Sequence, residues 1–299
     1  MEYEAMIQSA LDEIDKRITE NIRAVDLARA ANYSVYHFRR VFTELTGTPF
    51  MSYVTRRKLE YALYDLSRGR RIIDAAMDYG FETHAGFTRA FKKHFGYPPS
   101  LYRLRISAKP PERAAICSVK LKHGGINMQV QIKEITPFSI VGVASSHSLP
   151  GVKSCGDIPA YWSTISLDYG RHLSRLYDAF TPDKHGEYAL CFDMDIAAGE
   201  FTYLLGVSFD DGADAAKIEP DMRKIEMPGG LYAVFTTPEA AKAEYAKSIA
   251  KTWAEILTRW LPQSAYEYDD ARPDYEAYDE RDHGKVVQMD IYIPIRERK

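Results

Sequence analysis

A repeat at an offset of 49 residues constrains this chain more than any other feature. Phe38 falls on Phe87, Arg40 on Arg89, Phe42 on Phe91, Gly47 on Gly96, Pro49 on Pro98 and Tyr53 on Tyr102. Just upstream, Ser34 falls on Thr83. A match at fixed period defines a structural unit. The unit here is short, helical and basic on one face.

Within the first copy, Ser34 is placed to cap a helix, its hydroxyl accepting from free amides of the first turn. Phe38, Val41, Phe42 and Leu45 recur at helical spacing and predict a core-facing side. Tyr36, Arg39, Arg40 and Thr43 form the opposite stripe. A short helix over Val25 to Ala31 and a turn at Asn32-Tyr33 come before the cap. Helix, turn and capped helix with a basic outer stripe is a helix-turn-helix pattern. The second copy repeats it, with Ile72 to Tyr79, a turn at Gly80, a cap at Thr83 and inward Phe87, Phe91 and Phe95. Its outer stripe is Ala85, Arg89 and Lys92, flanked by His84 and Lys93. Gly-x-Pro breaks close both helices.

Phe50 to Ser67 reads as one connecting helix, roughly 27 Å long at about 1.5 Å per residue. With its turns, it sets the two outer helices about one duplex turn, roughly 34 Å, apart, so one chain can meet two successive major grooves. Arg40 and Arg89 each contact a base, clamp a phosphate or pair with an acid such as Glu44. Upstream, Ile7, Leu11, Ile14 and Ile18 mark an amphipathic helix that covers the first unit.

Charge divides the chain. Residues 1–115 carry 19 Lys+Arg against 14 Asp+Glu, and residues 116–299 carry 20 against 28. A basic half gains from releasing counterions on nucleic acid, and an acidic half is repelled by it, so two kinds of partner are expected. Cys117, Cys155 and Cys191 have neither metal-ligand nor disulfide spacing, which fits a reducing compartment. No apolar run is long enough to span a membrane, and no leader pattern opens the chain. The expected location is the cytoplasm, associated with the nucleoid; neither metal nor cofactor is expected.

Pro110-Pro111 and Gly124-Gly125 bracket a stretch without helical periodicity, apart from a short strand expected at Ile116 to Leu121. The expected domains are therefore 1–107, a linker over 108–125, and 126–299. Beyond the linker, "MQVQIKEI" and "FSIVGVASS" read as strands, a helix is expected from Pro159 to Phe180, and "EYALCFDMD" and "FTYLLGVSF" follow as strands. The order then recurs: "MRKIEMPGGLYAVFTTP" gives two strands about a turn, a helix is expected from Pro238 to Trp260, and "DYEAYDE" and "VVQMDIYIPI" close as a pair. The fold class is thus multidomain: an all-α double helix-turn-helix domain, then an α+β domain of two strand-helix-strand-strand repeats. Such an arrangement packs two helices on one face of an antiparallel sheet. A ligand would sit on the other face or in the groove between the copies.

"NYSVYHFRRVFTELTGTPFMSYVTRRKLEYAL" and "GFETHAGFTRAFKKHFGYPPSLYR" resemble the DNA-binding domain of the AraC/XylS transcription regulators, in the same order and at the same separation. The resemblance covers residues 5–105. It implies double-stranded DNA as partner, read by Tyr36, Arg39 and Arg40 from the first helix and by His84, Ala85 and Arg89 from the second. Lys92 joins them on the outer stripe. Ala85 and Gly86 stand where many relatives carry longer polar residues, which implies fewer base contacts from the second helix.

"MPGGLYAVFTTP", "TRWLPQSAYEY", "PDYEAYDE" and "MDIYIPI" resemble the GyrI-like effector-binding domains over roughly residues 126–297. That resemblance implies a pocket of aromatic residues around Glu276, with Trp162 as a stacking wall. Glu276 and Tyr278 point the same way along one strand, and Tyr203 is a further candidate. The second half holds 12 of the 21 tyrosines and all three tryptophans. Aromatic walls around one carboxylate suit a flat, apolar cation. Trp253 and Trp260 read as core of the second helix. Three functions follow: a ligand-responsive transcription regulator; a C-terminal hydrolase using Glu276 with Tyr278 or Tyr203; and a DNA binder whose second half meets a protein. For the regulator, a small effector would change either domain orientation or contacts with RNA polymerase.

Overall fold

A computed structural model describes residues 2–105, 110–115, 130–148, 172–182, 186–195, 200–210, 212–282 and 284–298. Packing divides the chain into two compact units. One holds Met1–His94 and Ser107–Ile126; the other holds Phe95–Ile106 and Asn127–Lys299. Much of the expected linker, including the strand at Ile116 to Leu121, lies outside the described residues, as do Trp162 and the start of the helix expected from Pro159.

The first unit is built from helices α1 (Glu2–Lys16), α2 (Ala24–Ala30), α3 (Val35–Thr46), α4 (Phe50–Ser67), α5 (Ile72–Asp78) and most of α6 (His84–Phe95). Ile7, Leu11 and Ile14 of α1 are fully buried, as are Phe38 and Phe42 of α3 and Phe87 and Phe91 of α6. The Phe50 ring packs edge to face with Phe38 and with Phe42, a geometry that adds to the area term.

The turns are built alike in the two copies. Tyr33 N–H donates to Ala28 O at 2.9 Å and Phe81 N–H to Ala76 O at 2.8 Å. Each bond closes over one left-handed residue, Asn32 at φ 58° and Gly80 at φ 77°. Asn tolerates that region better than most side chains. The spacing of the first helices is 48 residues, Ala24 to Ile72, while that of the caps is 49. One extra residue, in the stretch Phe81-Glu82, lengthens the second turn.

A buried ion cluster locks α1 to α4. Arg57 is 5% exposed and donates to both oxygens of Asp15 (2.6 and 2.7 Å), to Glu60 (2.7 Å) and to the Glu112 carbonyl. Burial opposes its charge, but the two carboxylates outweigh burial and raise its pKa. Gln8 donates to Ala114 O and Arg113 forks onto Asp12, so residues 112–114 are held against α1.

The second unit begins with the end of α6 and α7 (Pro99–Arg105). Its strands β1 (Val130–Ile135), β2 (Phe138–Ser148), β3 (Glu187–Asp195), β4 (Glu200–Ser208), β5 (Met222–Met227), β6 (Gly230–Thr236), β9 (Tyr275–Tyr278) and β11 (Asp290–Glu297) form one antiparallel sheet in the order β1-β6-β11-β9-β3-β4-β2-β5. β8 (Tyr266–Tyr268) adds to β11, and β7 (Ala240–Ala241) pairs β10 (Val286–Val287). The order is symmetric under exchange of the two strand-helix-strand-strand copies.

The strands on either side of Pro137, and those on either side of Pro228-Gly229, are not partners. β1 pairs β6 and β5 pairs β2, so the copies exchange their first strands. Gly229 makes this crossing possible, since a Cβ there would come within 2.6 Å of Ile135 O and 2.7 Å of the Pro137 ring. The exchange covers both copies and places β9 beside β3 at the centre.

Residues 172–180 form helix α8, and Leu173, Leu176 and Phe180 pack on Val141 and Val207. The second helix differs from expectation. α9 runs Tyr245–Glu255 and widens into a π-helical turn over Ile256–Trp260, while residues 240–244 form β7 and a 3-10 turn instead of helix. Thr237, almost fully buried, exchanges hydrogen bonds with Met289, which ties that non-helical stretch to the chain before β11.

Candidate DNA-binding surface and effector site

On α3, the Ser34 hydroxyl accepts from His37 N–H at 3.2 Å. On α6, the Thr83 hydroxyl accepts from Gly86 N–H at 3.0 Å. Each cap fixes where its helix starts, and the buried phenylalanines fix which way it faces. The outer stripe of α3 is exposed: Tyr36 is 80% accessible, and Arg39 and Arg40 project into solvent. Among the described residues no ion pair joins either arginine to Glu44. A 12-residue helix that offers two unpaired arginines and a tyrosine to solvent has the donors for phosphate and base edges. The second stripe exposes His84, Ala85 and Arg89, with Lys92 half-buried. The methyl of Ala85 can touch a thymine methyl but offers no hydrogen bond.

The candidate effector residues Glu276 and Tyr278 lie at the centre of the sheet. Register places Glu276 of β9 directly opposite Ala189 of β3, and Tyr278 opposite Glu187. These side chains point to the face that carries α8, because Glu187 pairs with Val207 and Val207 packs under that helix. Glu276 and Tyr278 are therefore on the helix-covered face, where the two copies meet. That opposite face holds a separate cluster, in which Tyr275 stacks on Tyr292 at 4.5 Å and packs with Tyr188, Tyr232 and Phe138.

Glu276 is 5% exposed. Trp253 of α9 donates its indole N–H to Oε1 at 2.7 Å, and Tyr278 donates its hydroxyl to Oε2 at 2.9 Å. Two donors make burial of the carboxylate tolerable, because a bare buried carboxylate is very costly. Burial, followed by the neighbouring carboxylate, holds the Tyr278 phenol well above its ordinary pKa, so it stays a neutral donor. Tyr245 packs edge-on to Tyr278, and Tyr203 is fully buried and close enough to Tyr278 to be felt electrostatically.

A second carboxylate lies on the adjacent row, opposite Tyr278. Glu187 is 1% exposed and accepts from the Tyr177 hydroxyl at 3.0 Å. Burial and Glu187 push that phenol up to about 12. The expected site residues Glu276, Tyr278 and Tyr203 thus come together, while Trp162 lies outside the described residues. Trp253 and Glu187 were not foreseen as site residues. An apolar helix position gives no sign that its indole N–H ends on an acid. Glu187 opens a strand, where an acid reads as solvated.

A basic double helix-turn-helix joined to a sheet with a buried, aromatic-ringed carboxylate defines a class: a DNA-binding regulator with an effector-binding domain. Residues 27–105 match the helix-turn-helix domain family, and residues 131–295 match the integron-associated effector binding protein family. The uncharacterised HTH-type transcriptional regulator YbfP of Bacillus subtilis is 36% identical over 116 residues, 38% of this chain and 39% of YbfP. The HTH-type transcriptional activator AarP of Providencia stuartii is 33% identical over 101 residues, 33% of this chain and 75% of AarP. The transcriptional regulator Rob of Salmonella typhimurium is 30% identical over 154 residues, 50% of each chain. The matched stretch therefore spans half or less of YbfP and Rob. The chain belongs to the AraC family of transcription regulators, in the Rob-like layout of an AraC-type N-terminal domain and a GyrI-like effector-binding C-terminal domain. Among the described residues, no helix is long and apolar enough to cross a membrane.

Proposed function

We propose that this chain is a sequence-specific, effector-responsive regulator of transcription in the cytoplasm, working on the nucleoid. The observation that carries the DNA half is the repeated turn and cap: two helix starts with equivalent cap bonds, each presenting basic side chains to solvent. α3 enters one major groove with Tyr36, Arg39 and Arg40, and α6 enters the next with His84, Ala85, Arg89 and Lys92. The 18-residue α4 joins them; roughly 27 Å of helix plus its turns suits one duplex turn of roughly 34 Å.

Arg39→Ala is expected to cost roughly 1–3 kcal/mol of specific binding if Arg39 reads a base. Titrating the variant on operator and scrambled duplexes checks this; unchanged affinity and unchanged preference would remove Arg39 from the interface. Arg40 and Arg89 take phosphate or base roles, and Ala85 leaves the second helix with the smaller share of specificity.

The effector half binds an aromatic or cationic small molecule at Glu276. Support comes from two buried carboxylates, Glu276 and Glu187, on adjacent rows of β9 and β3 among Trp253, Tyr278, Tyr245 and Tyr203. A cation offsets the like charges, and the rings attract it through their negative faces. Both Glu276 oxygens are already engaged by donors, which favours a binding role over general-base hydrolysis. Glu276→Gln is expected to abolish stabilisation of the protein by aromatic cations in thermal-shift measurements and to leave ligand-free DNA binding unchanged. Equal loss for neutral analogues would refute the counter-charge role. For ligand to regulate, it must bind the active arrangement more tightly than the inactive one, through either DNA geometry or contacts with RNA polymerase.

A further inference from the structure

We propose that the helix-turn-helix unit carries a small-molecule site of its own: a cleft of about 400 Å³ between α1 and α2 that takes a neutral phenol ring, whose hydroxyl donates to Glu13. This does not rest on the effector reading of Glu276, which lies in the other unit.

The internal repeat shows what fills this place in the second copy. The two turns match at an offset of 48, Ala31 to Tyr79: Ala31 N–H donates to Leu27 O at 3.1 Å, and Tyr79 N–H to Ala75 O at 3.2 Å. The helices that cover the two turns match at an offset of 52, Ile7 to Leu59. On α1 the buried quartet is Ile7, Ala10, Leu11 and Ile14; on α4 it is Leu59, Ala62, Leu63 and Leu66. Both quartets have the i, i+3, i+4, i+7 spacing of a core-facing stripe. These offsets set Ala31 against Tyr79, Ser9 against Tyr61, and Glu13 against Asp65.

In the second copy two rings occupy the space. Tyr79 is 5% exposed, and its hydroxyl donates to Asp65 at 2.8 Å. Tyr61 lies close enough to be felt electrostatically by the Tyr79 phenol. In the first copy a methyl and a hydroxymethyl stand in place of the rings. Ala31 and Ser9 both line the cleft, with Leu27 and Phe38 as further apolar wall. Glu13 lines it too, at the position from which Asp65 holds a phenol in the other copy. Its carboxylate approaches Arg17 only to 3.9 Å, beyond hydrogen-bond reach.

The size lies within the range of small-ligand sites, about 300–1,000 Å³. The lining selects the chemistry. Glu13 and Asp26 both face the cleft, while Arg17 is drawn to Glu20 at 2.7 Å, so an anion is disfavoured. A phenol brings one donor for the carboxylate and a ring for the apolar wall, and hydroxyl-to-carboxylate bonds are among the stronger ones. Phe38 belongs to the core that fixes which way α3 faces, so a ring bound here rests against the first DNA-reading helix.

The test uses the full chain and two probes. One is p-cresol, which is the tyrosine side chain without its backbone; the other is toluene, which lacks the hydroxyl. Dissociation constants are measured by ligand-observed NMR titration on wild type, Ala31→Tyr, Ser9→Tyr and Glu13→Leu. Wild type is expected to bind p-cresol with a Kd of about 1 mM or tighter, the scale for a ligand of so few atoms, and to prefer it to toluene about tenfold. Each tyrosine variant restores one of the two rings and is expected to weaken p-cresol by about tenfold or more. Glu13→Leu is expected to remove the preference over toluene while both probes still bind. Equal p-cresol affinity in wild type and both tyrosine variants would put the probe elsewhere and overturn the site. Toluene bound by wild type as tightly as p-cresol overturns the phenol class, as does an unchanged preference in Glu13→Leu. Absence of p-cresol binding to wild type up to about 10 mM overturns the whole inference. Should Ala31→Tyr not fold, Ser9→Tyr, at an exposed helix position, carries the comparison.

Discussion

Leu11→Asp is expected to unfold the helix-turn-helix unit. Leu11 is fully buried on α1, alongside Ile7 and Ile14. Losing the leucine alone costs about 2–5 kcal/mol, as for other large-to-small core changes. The aspartate adds a carboxylate with no partner at an apolar position, a further penalty of several kcal/mol. Together these approach the whole stability of an ordinary domain, about 5–15 kcal/mol. Circular dichroism melts of the variant should show loss of the cooperative helical transition, with DNA binding lost in parallel. Leu11→Met, which conserves volume, should cost less than about 1.5 kcal/mol. A Leu11→Asp protein that melts within a few degrees of wild type would mean that α1 is not needed to close the core.

Arg57→Ala comes next in size. The guanidinium bridges α1, α4 and residue 112 through Asp15, Glu60 and a carbonyl. Removing one partner of a buried cluster costs about 3–5 kcal/mol, because the carboxylates left behind lose their counter-charge. The loss should shrink when Asp15 is replaced by Asn in the same chain, since the stranded charge is then gone. Chemical denaturation of the two single variants and the double variant measures this coupling. Strictly additive losses would show that Arg57 acts through packing of its stem and not through the ion cluster. Nothing in the local pattern of α4 marks Arg57 as special. It reads as one more basic residue on a connecting helix, and its partners Asp15 and the Glu112 carbonyl lie 42 and 55 residues away.

Legibility differed between the two halves for a physical reason. The helix-turn-helix unit is made of local contacts: a cap at Ser34 or Thr83, a left-handed residue at Asn32 or Gly80, and phenylalanines at helical spacing. Each is written within a dozen residues, so α2, α4 and α5 lie within a residue of where these signals place them, while α1 ends at Lys16, before Ile18, and the second turn carries one residue more than the first. In the sheet, alternation located the strands but did not pair them. The helix expected at Pro238 begins at Tyr245 because residues 237–241 bond to the chain before β11 and to β10, partners about 50 residues away.

The candidate effector site shows the same division. Glu276 and Tyr278 were legible as two same-facing residues on a strand, and the aromatic content of the half pointed to a cation. Trp253 and Glu187 were hidden because their roles exist only across elements.

By itself, then, the sequence determined two repeated helical units with basic faces and, beyond them, two strand-helix-strand-strand copies. These follow from periodicity, caps and turn residues, which act over a few positions. Only the tertiary structure decided that the copies exchange their first strands, that β3 and β9 meet at the centre, and that an indole from α9 ends on Glu276. Those facts depend on which distant segments find each other, and that is settled by burial and hydrogen-bond completion over the whole domain.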